Sequence, residues 1–455
     1  MAASSQQLAT GSLSVAGATA LLVGNVIGIS IFTLPGPLAG SAGPSVIFAI
    51  LLAMVPLGFG IAMDYQLGSA IPVAGGNYVY ASRIVSPSAG FLVPWIIVPG
   101  VWAGLLFIGV GFSNYVGLFV DVPTLALIYT VLIPFLVLNI VGINPVARVQ
   151  MVLVAILLVS MAVFIVPGAL AIDPGNYTPL FPHGVGEFGL SVVSLYFPLR
   201  GFSMIVALGE ELEDPTTSIP TVLGFAAAIT LTLFATMVAV LVGVVHHSEL
   251  VSVEGAIVEA GRTFLPEPLA AFLAIGAVVG GLTSISTTYT GFSRTLMRAA
   301  RDEVIPRSVA TVHPRFETPH VSLLVLGVPP LFLAPVVLRG LENPSVVLSV
   351  FLAVAVLFAM SLKAVALWKL PAVFEERWEN ADVTFTPRTL KLLALGTLVS
   401  AVVFILITAS QTPAIVGMLI CYSVIGLVYF TLGKRQLRRR DVDLDAVMST
   451  LAEYE

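Results

Sequence analysis

The chain has 455 residues, of which 58% are hydrophobic and only 10% charged, and its mean hydropathy is +1.03. Average chains carry about 25% charged residues, so this composition excludes a water-soluble fold and fits an all-α integral membrane protein. The net charge of −5 has no fold implication and reveals nothing about a polyanionic partner; no nucleic acid partner is expected, and the single cysteine, Cys421, excludes an intrachain disulfide framework.

Each spanning helix needs about 20 mostly apolar residues. Reading along the chain predicts twelve transmembrane helices, near 12–40, 44–70, 88–119, 123–142, 145–170, 187–211, 218–245, 267–292, 320–338, 345–366, 389–409 and 412–432. A short N-terminus, 1–11, precedes them without Lys or Arg, so no cleavable leader is expected. With that N-terminus cytoplasmic, all of the 20 Lys and Arg residues except Arg200, Arg262 and Arg339 fall at cytoplasmic ends or loops. The positive-inside rule expects this bias, which sets both termini inside and points to a multi-pass protein of the plasma membrane.

The first run contains Gly24-Asn25-Val26-Ile27-Gly28-Ile29-Ser30-Ile31-Phe32. Its glycines allow close helix contact or an interruption of the helix. The fifth run, 151–167, has no ionisable residue. The sixth reads Tyr196-Phe197-Pro198-Leu199-Arg200-Gly201-Phe202, where a proline, a charge and a glycine meet within four residues. Glycine and proline at membrane depth mark freed backbone groups that must find partners away from water. The eighth run is crowded with Thr283, Ser284, Ser286, Thr287, Thr288 and Thr290. The connection 246–266, with His246 and His247, reads as an ordinary solvated loop, and all five histidines are assigned to loops. Cys421 reads as a small buried hydrophobe. In the cytoplasmic tail, 433–455, the basic stretch Lys434 to Arg440 meets the headgroups, and a short amphipathic helix follows with Leu444, Val447, Met448 and Leu451 on one side.

Interrupted first and sixth runs take matching places if 12–170 and 187–366 are two five-helix repeats of inverted topology, with 389–432 adding two helices. Such matched interruptions are the best sequence pointer to a transporter's binding site. A half-helix starting near Gly28 offers free N–H groups and a positive dipole end to a carboxylate. Half-helices ending near Gly24 and Phe197 leave carbonyls for an ammonium or a cation. Together they form a receptor for an amino acid headgroup.

Several motifs resemble the amino acid–polyamine–organocation (APC) superfamily over nearly the whole chain. GNVIGISIF at Gly24–Phe32 is similar to its glycine-rich substrate motif. Pro72 with Gly75-Gly76, Tyr78 and Tyr80 resembles its P-x-x-G-G-x-Y-x-Y loop. Phe197 to Phe202, Glu210-Glu211, Asp214-Pro215 and Ile219-Pro220 resemble its sixth-helix segment. Ser293-Arg294, Arg298, Arg301-Asp302 and Pro306 resemble the loop after its eighth helix. The resemblance implies a five-plus-five inverted repeat, alternating access and no enzymatic activity. Carried over, Asn25, Val26, Gly28, Ile29 and Ser30 line the carboxylate end of a substrate site. Phe197, Pro198 and Arg200, with Gly201, face the amine, and Phe197 is a gate or else a core aromatic. Where some proton-coupled relatives have a fifth-helix lysine, the matching position is Leu157. Arg200 and Leu199 also depart from the pattern.

An intramembrane arginine is a functional hypothesis by default. Three readings stand for Arg200: it pairs with an anionic solute, it replaces a coupling cation, or it bonds the orphan carbonyls of the interrupted helix. Gly24, Thr283, Ser286 and Thr287 form a candidate cation site, since hard cations take oxygen ligands; alternatively the hydroxyls bond their own helix. Sodium, a proton or no coupling ion all remain open, and no other cofactor is expected. The expected partners are the lipid bilayer and a small solute, an amino acid, with anionic amino acids among the readings. The alternatives are carriage or exchange of organic anions or amines, and a membrane solute sensor that does not transport.

Overall fold

In a computed structural model, the described residues are 13–438, apart from 74, 118, 197–200, 203, 206–207, 209–210, 251–254, 342–343, 382–383 and 412, followed by Leu444 and Met448. Eleven spans among them are long and apolar enough to cross a membrane. The only β structure among them is an isolated bridge between Leu13 and Leu212. Helix is the form these apolar runs take, because it satisfies backbone groups within the segment where water is absent.

The first span is split into α1 (Val15–Ile27), α2 (Ser30–Thr33) and α3 (Pro35–Ala42), and α4 (Val46–Ala70) follows. A short α5 (Gly76–Tyr80) leads into α6 (Pro87–Gly117), α7 (Thr124–Val141) and α8 (Ile143–Leu170). The second half begins with α9 (Val185–Tyr196), which runs up to 197–200, outside the described residues. It continues with α10 (Pro215–Val244), a short α11 (Ala256–Arg262), α12 (Glu267–Arg301), α13 (His320–Gly340) and α14 (Pro344–Val373). After α15 (Glu375–Glu379), α16 (Pro387–Gln411) and α17 (Pro413–Arg438) close the chain. The two predicted halves interlock: α1 packs on α10, α8 and α12, and α14 packs on α6.

Burial separates centre from rim. Of the apolar windows, 67% of Val15–Thr33, 72% of α6 and 67% of α12 is buried, against 22% for α16 and 17% for α17. The last two helices are therefore the lipid-facing rim. Cys421 sits there, exposed rather than buried as its apolar neighbours suggested.

Three other expectations need correction. The eighth helix continues to Arg301, so Arg294, Arg298 and Arg301 are helical residues rather than part of a following loop. His320 begins α13 instead of lying in a loop. Lys363 is buried within α14, ion-paired with Asp64 of α4. Of the predicted tail stripe, Leu444 and Met448 are described and buried; Val447 and Leu451 lie outside the described residues.

Candidate functional site

Helix α1 ends at Gly28, whose φ of +47° lies in the left-handed region that glycine tolerates best. A second constraint acts there. A Cβ at Gly28 would collide with the Ser284 hydroxyl, and a Cβ at Gly280 of α12 would collide with the Gly28 carbonyl. Two glycines thus let the interrupted stretch lie directly against α12. The Gly28 N–H still donates to the Gly24 carbonyl, at 3.0 Å.

Asn25 staples the interruption to two other elements. Its Nδ2 donates to the Gly201 carbonyl at 2.9 Å, and its Oδ1 accepts from the Thr287 hydroxyl of α12 at 2.8 Å. Val26 is buried and faces Gly201, where its Cγ2 lies 3.1 Å from the position a Cβ would take. One residue up the helix, the Gly24 carbonyl also accepts from Thr283 Oγ1 at 2.9 Å. Thr283 lies 2.8 Å from the Gly280 carbonyl as well. The single Thr283 hydroxyl proton is thus shared between the Gly24 and Gly280 carbonyls.

The predicted residues thus separate. Gly24, Asn25, Val26, Gly28, Gly201, Thr283 and Thr287 come together. Ile29 is buried against α6 at Gly111. Ser30 turns its hydroxyl back onto the Ile27 carbonyl, at 3.0 Å. Ser286 is buried but its hydroxyl has no hydrogen-bond partner, so it does not join Gly24. Phe197, Pro198 and Arg200 lie outside the described residues.

Gln150 was missed by the sequence reading. It is fully buried on α8, and its amide lies where a Cβ at Gly24 would be, with Val154 beside it. Neither amide atom has a partner. The fifth-span side chains that meet the first span at Gly24 are these two, whereas Leu157 lies farther along the buried face. The sequence signal was a polar residue immediately before the apolar run.

Toward the chain ends, buried charges take over. Arg294 grips Glu211 through Nε to Oε2 at 3.0 Å and Nη2 to Oε1 at 2.6 Å. Both side chains are at most 2% exposed. The Glu211 carbonyl also accepts from Leu13 N–H at 2.9 Å. Beside it, Asp302 is ion-paired with Arg83 and Arg298 and accepts from the Tyr78 hydroxyl at 2.7 Å. Burial, then the Asp302 charge, holds the Tyr78 phenol above its ordinary range, which keeps it a donor. The glycine pair of the Gly75–Tyr80 loop has a direct reason. Gly75 has a φ of +71°, and a Cβ there would lie 2.8 Å from Arg298 Cβ.

A sequence profile described as amino acid permease matches residues 13–430. An uncharacterized transporter of Mycobacterium tuberculosis is 29% identical over 317 residues, covering 69% of this chain and 71% of its own. A branched-chain amino acid permease of Bacillus subtilis is 24% identical over 330 residues, 68% of this chain and 71% of its own. A methylthioribose transporter of the same species is 25% identical over 338 residues, 70% and 73%. With the profile spanning nearly the whole helical bundle, the chain belongs to the amino acid permease family of multi-pass membrane transporters.

Proposed function

We propose that the chain is a secondary active transporter that carries an α-amino acid, or a close chemical relative, by alternating access. The observation that carries this reading is the interruption at Gly28 and Ile29, held by Asn25 to Gly201 and to Thr287. Irregular backbone at membrane depth is tolerated where it lines a cavity or is buried in protein. The amides after Gly28 suit the solute's carboxylate, and sixth-span carbonyls suit its ammonium. In this reading Arg200 sets the charge class, with an anionic solute the one its guanidinium favours. Phe197 closes over the solute. The relatives named for branched-chain amino acids and, in Arabidopsis thaliana, for cationic amino acids support an amino acid headgroup, whereas the one named for methylthioribose, a sugar without that headgroup, does not.

On this reading the buried Glu211–Arg294 pair closes the path on the side of the chain ends. Leu13 and Met448 both lie at that end, Met448 against Gly90 beside Ser82. Ends that share a side require an even number of crossings, which supports twelve. The basic residues at that end support a cytoplasmic orientation. A coupling sodium at Gly24 would have to displace the hydrogen bond from Thr283; a proton would not.

The test is binding and uptake in proteoliposomes over amino acids, dicarboxylates and amines, wild type beside Arg200→Ala. Anionic solutes are expected to be lost by about tenfold or more in the variant. Equal carriage of neutral amino acids by both proteins removes the anionic reading. Solute binding without flux at any ion gradient replaces transport with sensing.

A further inference from the structure

At the end of the bundle remote from Leu13, two connections meet over the first span. The Ser45 N–H donates to the Leu180 carbonyl at 3.0 Å, and Gly43 lies so close to Pro182 that a Cβ would collide with its ring. The 3-10 turn His247–Glu249 packs against α3 and the turn Gly43–Ser45. His183, next to Pro182, brings its ring to 6.4 Å from that of His247, nearly perpendicular, and the rings of His246 and His247 are 4.2 Å apart. The loop is thus not simply solvated. His247 is 6% exposed and its Nδ1 has no partner, whereas His246 Nδ1 accepts from Ser248 N–H at 3.4 Å and caps the turn. The rings face one another instead of converging on a point, and among the described residues no metal-holding group of His, Cys, Asp and Glu is found.

We propose that His183, His246 and His247 form an acid-operated latch, holding the far end of the first span shut while the rings are neutral and releasing it when they are protonated. Protonation takes a proton from water at that face onto a ring nitrogen and sets like charges against each other in a partly dry contact. The facing elements offer little to neutralise them. Neither α3 nor Gly43–Ser45 has a titratable side chain. Asp173 accepts from Gly175 N–H, and the Tyr177 hydroxyl donates to Ala239. Glu187, Glu249 and Glu259 are the remaining acids of the two connections among the described residues, and Glu259 is already paired with Arg262. Burial first, then His246 and His183, lowers the His247 imidazole from its ordinary 6.5. The closed contact is therefore fully favoured above that value and loses favour as pH falls below it. The role in a transport cycle rests on the proposed function; the latch itself does not.

Hydrogen exchange on the full chain in lipid nanodiscs, corrected for intrinsic rates, reads the latch directly. Between about pH 7.5 and about pH 5.5, the Ser45, Glu249 and Leu250 amides of the wild type are expected to lose protection on the order of tenfold. The His183→Gln/His246→Gln/His247→Gln variant is expected to change less than about twofold, and the exposed-site variant His183→Gln to fall between. An unchanged wild type, or a triple variant that responds like wild type, overturns the latch. Acid release of these amides without solute flux at any pH sinks the transport reading and leaves the latch standing.

Discussion

At the interruption, Asn25 holds Gly201 and Thr287 by neutral hydrogen bonds of 2.9 and 2.8 Å, whereas one helical stretch away Arg294 holds Glu211 by a bidentate ion pair. From Thr287 to Arg294 is about 10 Å along α12. Neutral bonds contribute about 0.5–1.5 kcal/mol each and can be exchanged for bonds to a solute. A buried ion pair that loses one member leaves a stranded charge, so it separates only when water reaches both sides. On the proposed transport reading, the difference would put exchange in the middle of the bundle and closure at its end.

The sharpest way to break that comparison is at the closed end. Arg294→Ala strands Glu211, and a loss of about 3–5 kcal/mol is expected in the thermal unfolding of the purified protein. The double variant Arg294→Ala/Glu211→Ala should recover much of it; strictly additive losses would mean the pair is not coupled. Next in size is Gly280→Ala. Its new methyl meets the Gly28 carbonyl, and overpacking of about 1–3 kcal/mol should appear as lost uptake. Asn25→Ala cuts both neutral links, with solute affinity expected to fall about tenfold, or 1.4 kcal/mol, by calorimetric titration. Thr287→Val removes one link and should cost about 0.5–1.5 kcal/mol by the same measurement. An affinity unchanged by both substitutions would detach the Asn25 junction from solute binding.

Much of this was legible because bilayer chemistry is severe. Apolar runs located the spans, and the glycines of the first run located the interruption. The end of the eighth helix was misread, since hydropathy stops at Phe292 while the helix carries its arginines on to Arg301. The guanidiniums of Arg294 and Arg298 are buried on carboxylates there, which hydropathy cannot anticipate. The partner of Arg294 lies 83 residues away, and no local pattern specifies such a choice. Gln150 escaped because one amide at the edge of an apolar run barely changes the composition of the run. Sequence reasoning grouped Gly24 with Thr283 and Thr287 but could not foresee that Asn25 would join Thr287 or that Ser30 would turn back on its own helix.

The Asp64–Lys363 pair has a consequence for how the protein is made. Its members are 299 residues apart in sequence. At synthesis rates of 5–20 residues per second, Lys363 emerges about 15–60 s after Asp64. Through that interval α4 must lodge in the membrane before its carboxylate meets Lys363, at a cost below the about 2.5–3.5 kcal/mol that insertion scales give at a helix centre, since Asp64 lies toward the end of α4. An early-made half therefore waits, incompletely neutralised, for the late-made half, and any factor that shields nascent helices from lipid has α4 as a client until α14 arrives.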